Sequence, residues 1–339
     1  MASKPLRVIQ AGVGGFGQWW LQVLLKDPLA EVVGAVDVSK KRLDIAVEHG
    51  VAKEHCFTSL SDALKSVEAD ALVDVTSPDA HLPLCRTAAK AGLSILVEKP
   101  MSTTLKKAAT MAKVADEHGV TLMVSQNYRF GKCARGLRGL VRKKKIGRPE
   151  QVSIFYRKAP HFGGFRARMP DPLLVDMSIH HFDLIRSILG TDAVRVWGYS
   201  QRPSWSWVAG DASAAVVFEM SDGALVCYDG SWVSRGPTTT WDADWKFEGA
   251  KGCLTWSNNK VRLYGPDDEK GAALKLDKPE RDGQYATMAE FATAIRRKRE
   301  PECSGWDNLQ SLAMVECAVK ACHSGKAVDI EAALAKAIG

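Results

Sequence analysis

The stretch that decides the fold is Val8-Ile9-Gln10-Ala11-Gly12-Val13-Gly14-Gly15-Phe16-Gly17, near the start of the chain. A short apolar run ends at Gly12, three glycines follow with the spacing G-x-G-x-x-G, and a helical pattern then begins. Gly12 permits a tight turn, Gly14 lets a pyrophosphate approach the backbone, and Gly17 allows the helix to pack close to the strand. Although a purely structural turn is the alternative, this order predicts a dinucleotide site at the helix N-terminus.

The same motif predicts the residues around the phosphates and the adenosine. Gly15 and Phe16 lie inside the glycine turn, and Asp37 ends the next apolar run, roughly 20 residues past the last glycine of the motif. A carboxylate at that position binds the ribose hydroxyls and disfavours a 2′-phosphate, so we expect NAD. Arg42 follows closely and could hold such a phosphate, which leaves NADP as the alternative.

Strand and helix patterns alternate through the N-terminal part of the chain. Apolar runs that predict strands occupy 6–11, 32–36, 71–75, 93–97 and 120–124, and helical patterns occupy 16–26, 40–49, 60–66, 80–91 and 103–118. Strands separated by helices form a parallel sheet covered on both faces. We therefore predict a dinucleotide-binding domain with the Rossmann fold over residues 1–126, followed by a connecting helix over 129–146.

The pattern changes in the C-terminal part. Strands are predicted at 152–157, 193–199, 213–219, 224–231, 239–248, 252–257 and 260–264, and helices at 173–189, 285–299, 306–323 and 329–338. Most of these strands follow one another without a helix between them, so they should pair antiparallel. The predicted fold class is an α/β Rossmann domain followed, over 147–339, by an α+β domain with a large, mostly antiparallel open sheet.

Composition narrows the class of protein. The chain of 339 residues is 46% hydrophobic and 25% charged, as expected of a soluble globular protein. We see no signal peptide, no apolar stretch long enough for a membrane span, and no Cys-x-x-Cys among eight cysteines, so we expect a cytoplasmic protein without a zinc cluster. The net charge of +7 lies partly in two basic runs that each end a helix, and we expect no nucleic-acid partner.

Residues that directly follow the parallel strands are expected to face the ligand. Thr76-Ser77-Pro78 and His81 follow the strand 71–75 and should contact the cofactor, with a helix start capped by Ser77 as the structural alternative. Glu98-Lys99-Pro100 follows the strand 93–97. A Glu–Lys ion pair at the sheet edge is the structural alternative, but the position places Glu98 beside the cofactor and Lys99 in the active site.

A second polar motif lies in the C-terminal domain, in Asp176-Met177-Ser178-Ile179-His180-His181-Phe182-Asp183. On a helix Asp176, His180 and Asp183 share one face. A carboxylate one turn before an imidazole can hold its tautomer, as a proton-transfer histidine requires, whereas His181 points elsewhere. A structural hydrogen-bond network, an Asp/His/Asp metal site and a solvated face are the alternatives, and we expect no metal.

Together, Gly12 to Gly17, Glu98-Lys99-Pro100 and Asp176-x3-His180-x2-Asp183 resemble the motifs of the glucose–fructose oxidoreductase and inositol dehydrogenase family. The resemblance covers nearly the whole chain and implies that Lys99, Asp176 and His180 are the catalytic set. The chain departs from the family at Met169–Val175, where members often carry a glycine-rich segment, and at Ser178, where they often carry glycine.

We therefore predict that the protein is an NAD(P)-dependent oxidoreductase. It would move a hydride between the nicotinamide and a secondary alcohol of a sugar, polyol or related small molecule. The alternatives are an NAD-dependent glycosidase that oxidises its sugar transiently, and a non-catalytic dinucleotide-binding regulator. Tryptophan is dense in the C-terminal half, where a large open sheet with aromatic residues favours a homodimer or homotetramer through that sheet.

Overall fold

The computed structural model describes residues 4–339, which divide into two compact units. The first unit comprises the chain up to Asn127 together with Arg281–Leu309, and the second comprises Tyr128–Glu280 and Gln310–Ala337. The sequence pattern did not predict that residues 281–309 pack with the N-terminal unit.

The first unit contains a six-stranded parallel sheet in the order β3-β2-β1-β4-β5-β6, which is the Rossmann order. Its elements are β1 (Leu6–Ala11), α1 (Phe16–Lys26), β2 (Ala30–Val36), α2 (Lys40–Glu48), β3 (Cys56–Phe57), α3 (Leu60–Ser66), β4 (Ala71–Asp74), α4 (Pro78–Lys90), β5 (Ser94–Val97), α5 (Leu105–Glu117) and β6 (Leu122–Val124). The predicted alternation is confirmed, and the two-residue strand β3 is an addition to it. Because β1, β4 and β5 are parallel, the loops after them lie at one edge of the sheet, and the strand order reverses between β1 and β4.

The second unit is built on a nine-stranded sheet in the order β14-β13-β12-β11-β7-β10-β9-β8-β15, antiparallel except for the pair β7–β10. The remaining elements are α6 (Lys132–Arg142), β7 (Pro149–Arg157), α7 (Ser178–Leu189), β8 (Ala193–Gln201), β9 (Ser213–Met220), β10 (Leu225–Ser231), β11 (Asp244–Gly249), β12 (Gly252–Ser257), β13 (Lys260–Tyr264), β14 (Ala272–Ala273), α8 (Gly283–Arg297), α9 (Gly305–Ser324), β15 (Val328–Asp329) and α10 (Ile330–Ile338). The predicted fold class, including the mostly antiparallel sheet, is confirmed.

The two faces of this larger sheet differ in burial. On one face the ring of Phe182, from α7, packs edge-on against Phe218 of β9 and Tyr228 of β10, with ring centroids 4.7 and 5.2 Å apart. The opposite face carries apolar side chains that remain exposed within the chain: Phe155, Trp197, Tyr199 and Leu225. Since alternate residues of a strand face opposite sides, α7 lies on the covered side of the sheet.

Segment 281–309 is fixed to the first unit by polar contacts. Arg281 donates from Nη1 to both carboxylate oxygens of Asp27, at 2.9 and 2.8 Å, and Asp27 is buried at the end of α1. The indole of Trp306 donates to Asp116 at 2.7 Å. These partners lie far apart in the sequence, which explains why local patterns could not place the segment.

Three predicted elements were wrong in detail. The helix predicted over 173–189 is a π-helix over Leu173–Met177 and an α-helix only from Ser178. The strand predicted over 239–248 begins at Asp244, because Ala243 has φ +67° and cannot continue an extended strand. The connecting helix predicted over 129–146 is limited to α6, with a 3₁₀ turn over Asn127–Phe130 before it.

Within residues 4–339, no helix combines the length and the apolar character that a membrane crossing requires.

Candidate active site

The glycine turn between β1 and α1 requires glycine at its first and last positions. Gly12 has φ +86°, and a Cβ there would lie 2.6 Å from the carbonyl oxygen of Val75. A Cβ on Gly17 would lie 2.2 Å from the carbonyl oxygen of Gly12. Gln10, which sequence reasoning missed, donates from Nε2 to the carbonyls of Gly12 and Gly17, at 2.9 and 2.7 Å. The turn is therefore closely packed and held by a buried side chain.

The outer part of the turn is suited to an anion. The backbone N–H groups of Gly14 and Gly15 donate to no other residue within 4–339, and α1 begins at Phe16 without a side-chain cap. A Cβ on Gly15 would meet no atom within 4 Å, so the space beside it is open. Free N–H groups at the positive end of a helix bind phosphate, and these residues fit the pyrophosphate of a dinucleotide.

Asp37 lies at the end of β2 beside this turn. Its carboxylate accepts hydrogen bonds from the N–H of Val13 and the N–H of Ser39, each at 2.9 Å. The guanidinium of Arg42 lies 3.7 Å from the same carboxylate and rests against Gly14, where a Cβ would come within 2.9 Å of Cζ. Asp37 therefore shapes the turn, and its predicted contact with the ribose remains a prediction.

The loop after β4 is held by internal hydrogen bonds. Thr76 donates from its backbone N–H and from Oγ1 to Asp74 Oδ1, at 3.0 and 2.6 Å. The two ring nitrogens of buried His81 lie 3.0 Å from the carbonyl of Met101 and 3.2 Å from that of Thr76. His81 thus connects the loops after β4 and β5. Pro78 opens α4 and Ser77 occupies the N-cap position, as expected, although the Ser77 side chain makes no capping hydrogen bond.

Glu98 anchors the end of β5. Its buried carboxylate accepts from the indole Nε1 of Trp20 at 2.7 Å and from the backbone N–H of Lys99 at 3.0 Å, and burial raises the pKa of this carboxyl group. The peptide between Lys99 and Pro100 is cis. The Glu98 carboxylate therefore fixes the backbone that carries Lys99, while the predicted cofactor contacts of both residues remain predictions.

In the second unit Asp176 lies on the π-helix before α7. Arg166 donates from Nε to Asp176 Oδ2 at 2.5 Å. The guanidinium of Arg166 also lies over the rings of Phe162 and Phe165, with Cζ 5.3 and 4.8 Å from their centroids. Cation–π contacts of this kind orient the guanidinium, so Asp176 faces a fixed cation.

His180 is 6% exposed and stacks on Tyr128, with ring centroids 4.2 Å apart and an angle of 13° between the planes. The next residue, Arg129, donates from Nε and Nη2 to the two carboxylate oxygens of Asp183, both at 2.6 Å. Ser311 donates to the same carboxylate at 2.8 Å. The Asp183 carboxylate therefore belongs to a buried structural network, which was one of the alternatives for the polar stripe of Asp176, His180 and Asp183.

His181 is fully buried and belongs to a separate network. One ring nitrogen, Nε2, lies 3.0 Å from the carbonyl of Trp241, and Nδ1 lies 3.3 Å from the hydroxyl of Tyr228. Burial lowers the pKa of His181 to about 4. This imidazole is therefore neutral at neutral pH.

Within residues 4–339, a set of side chains other than Asp176, His180 and Asp183 has the spacing that a metal ion requires. Ligand atoms of Asp171, Asp211 and His323 lie within 4.8 Å of one another. There His323 binds Asp171 directly at 2.9 Å, and Ser200 donates to Asp211 at 2.6 Å. Hydrogen bonds between the protein's own groups thus occupy both carboxylates.

Two family models match the chain. Residues 6–126 match the oxidoreductase family with an NAD-binding Rossmann fold, and residues 134–255 match the GFO/IDH/MocA C-terminal domain. The chain belongs to the GFO/IDH/MocA oxidoreductase family. It is an NAD-binding oxidoreductase of the class that acts on CH–OH groups.

Relatives with assigned activities match over nearly their whole length. The chain is 25% identical to the 1,5-anhydro-D-fructose reductase of Ensifer adhaerens, over 95% of this chain and 98% of that protein. It is 26% identical to the inositol 2-dehydrogenase of Rhizobium meliloti, over 94% and 97%. The crystal structure of an oxidoreductase from Agrobacterium radiobacter, in complex with NAD⁺, L-tartaric acid and magnesium, has the same fold, with a TM-score of 0.88, 20% identity and coverage of 97% and 99%.

The predicted site residues fall into two groups. The glycine turn, Asp37, the loop after β4 and Lys99 belong to the first unit, and Asp176 and His180 belong to the second. Sequence reasoning missed the role of Tyr128 and did not predict the contact between Arg166 and Asp176. Tyr128 lies in the segment that follows β6, four residues after Val124, so the strand-end rule used for Lys99 could have predicted it.

Proposed function

We propose that this protein transfers a hydride between NAD and a secondary alcohol of a sugar or polyol, with His180 as the proton acceptor. The observation that carries the proposal is the position of His180, largely buried, stacked on Tyr128 and four residues after Asp176. A buried imidazole that a stacked ring holds in one orientation is suited to proton transfer. The relatives named above act on hydroxylated small molecules, which supports the substrate class.

Each polar group has a distinct part in the proposed reaction. Bound nicotinamide supplies the hydride acceptor for oxidation and the donor for reduction. His180 removes the hydroxyl proton as the C–H bond breaks, and returns it in the reverse direction. Asp176 supports the positive charge that develops on the imidazole, and the Lys99 ammonium stabilises negative charge on the reacting oxygen.

The residues expected near the adenosine end of the cofactor favour NAD over NADP. The Asp37 carboxylate, beside the glycine turn, would repel a 2′-phosphate. Arg42 offers a cation at the same place, but its guanidinium lies 3.7 Å from that carboxylate and is already paired with it. We therefore propose that NAD is the preferred cofactor.

The first test replaces His180 by Ala. We expect kcat for NAD⁺ reduction to fall by about 10² to 10⁴-fold, because proton transfer is lost, while the Kd for NADH changes by less than about threefold. Steady-state kinetics and NADH fluorescence titration measure the two quantities, and His118→Gln, an exposed histidine in the first unit, is the control. Equal losses of turnover and NADH affinity would show that His180 is structural.

The same assays separate the two alternatives. Release of a chromogenic aglycone without accumulation of NADH would indicate a glycosidase that oxidises its substrate transiently. Tight NADH binding with no turnover across a broad panel of sugars and polyols would indicate a regulator.

We also propose that the protein is a cytoplasmic homo-oligomer. The exposed face of the larger sheet carries Phe155, Trp197, Tyr199 and Leu225, which are 38 to 66% exposed within one chain. A second copy that covers this face would bury apolar surface. All eight cysteines are free thiols, which fits a reducing compartment.

A further inference from the structure

The loop before β11 is held in an unusual conformation. Ala243 is fully buried with φ +67°, a region that residues with a side chain rarely adopt. Two side chains bind the carbonyls just before it: His181 Nε2 lies 3.0 Å from that of Trp241, and Trp245 Nε1 donates to that of Asp242 at 2.5 Å. Strained backbone that the surroundings hold in place is common at binding sites.

Two separate contacts connect this loop to the candidate active site. On one side His181, the residue after the proposed proton acceptor, binds the Trp241 carbonyl. On the other side the Trp241 ring stacks on Phe162, with centroids 6.3 Å apart and planes 19° apart. Phe162 lies under Arg166, which binds Asp176. The loop is therefore connected to His180 through the neighbouring His181, and to Asp176 through Phe162 and Arg166.

The carboxylate of Asp242 has no partner of its own in this arrangement. Within residues 4–339 no group donates a hydrogen bond to its carboxylate and no cation pairs with it, although the side chain is partly buried. Burial raises the pKa of Asp242, and its charge contributes to the raised pKa of Tyr128, the residue stacked on His180. A partly buried carboxylate without donors is unfavourable, and the hydroxyl groups of a ligand would satisfy it.

Two cations near this loop, on Arg166 and Lys158, already contact other groups. Arg166 is paired with Asp176 at 2.5 Å, and the Lys158 ammonium lies 5.3 Å from the centroid of the Trp241 ring. The unsatisfied group at this place is thus an acceptor with negative charge, which binds hydroxyl donors and repels a second carboxylate.

We propose that Asp242 is a substrate-binding residue whose carboxylate accepts hydrogen bonds from neighbouring hydroxyl groups of the substrate. This inference rests on the proposed function and narrows its substrate to uncharged sugars and polyols, as opposed to the corresponding acids.

The experiment compares the wild-type protein with Asp242→Asn in NAD⁺ reduction. The uncharged probes are myo-inositol, D-glucose and D-xylose, and the acidic probes are D-gluconate, D-glucuronate and L-tartrate. We expect the wild type to favour uncharged probes by at least about tenfold in kcat/KM. In Asp242→Asn the KM for the best uncharged probe should rise about tenfold or more, with a smaller change in kcat, and the preference over acids should shrink. Asp267→Asn, an exposed carboxylate after β13, is the matched control and should behave as the wild type.

Two results would overturn the proposal and leave the proposed function intact: a wild type that prefers the acids, or an Asp242→Asn variant with unchanged KM and preference. Absence of NAD⁺ reduction with every probe would instead contradict the proposed function. Thermal unfolding of the NADH-bound protein then tests Asp242 separately. A rise in Tm with high concentrations of myo-inositol that Asp242→Asn lacks supports the assignment, and an equal rise, or none, in both proteins contradicts it.

Discussion

Among single residues, the ion pair between Arg129 and Asp183 shows how a buried charge positions a reactive side chain. Their side chains are 4% and 1% exposed, so each has lost its hydration, and the two-point contact replaces it. Arg129 follows Tyr128 directly, and the Tyr128 ring packs on His180. Asp183 therefore acts on the site through the backbone that carries the stacked tyrosine.

We expect Asp183→Asn to lower the free energy of unfolding by about 3–5 kcal/mol, because the Arg129 guanidinium would stay buried without its carboxylate. Urea unfolding followed by circular dichroism measures the change. Asp229→Asn removes the 55%-exposed partner of Arg157 and should cost less than about 1 kcal/mol. Similar losses in the two variants would mean that burial does not govern the strength of these pairs.

Among the elements, the turn from β1 into α1 depends on the absence of a side chain at its last position. Gly17 lies against the Gly12 carbonyl, and this contact sets the distance between the helix and the strand. The contact between Gly17 and the Gly12 carbonyl also sets the orientation of the free N–H groups of the turn. Stability and anion binding therefore depend on the same backbone conformation.

Gly17→Ala should therefore weaken NADH binding at least about tenfold and destabilise the first unit by about 1–3 kcal/mol, because its Cβ would overlap the Gly12 carbonyl. Fluorescence titration and thermal unfolding report the two effects. The matched control is Gly139→Ala in α6, where a Cβ meets no atom within 4 Å. It should stabilise α6 by up to about 1 kcal/mol and leave NADH affinity unchanged. Wild-type NADH affinity in Gly17→Ala would refute this account of the turn.

At the scale of the whole molecule, stability depends on keeping His181 neutral in the folded state. Its pKa is lowered to about 4 in the folded chain, against an ordinary value of 6.5, because the ring is fully buried. Between these two pH values the unfolded chain binds a proton that the folded chain does not. Stability contributed by this group is therefore present above pH 6.5 and is lost as the pH falls towards 4.

We expect His181→Gln to reduce the slope of unfolding free energy against pH between pH 6.5 and about 4, by up to about 1.4 kcal/mol per pH unit. Urea unfolding at several pH values measures the slope, and His118→Gln is the exposed control. An unchanged slope in His181→Gln would mean that His181 takes up its proton without unfolding.

The sequence alone determined the strand–turn–helix order, the parallel and antiparallel character of the two sheets, and the candidates Lys99, Asp176 and His180. These follow from local rules, since glycine spacing, apolar periodicity and strand ends are read from neighbouring residues. Only the tertiary structure decided that Tyr128 stacks on His180, that Asp183 binds Arg129, and that residues 281–309 join the first unit. Contacts between residues far apart in the chain depend on how elements pack, and no local pattern encodes that packing.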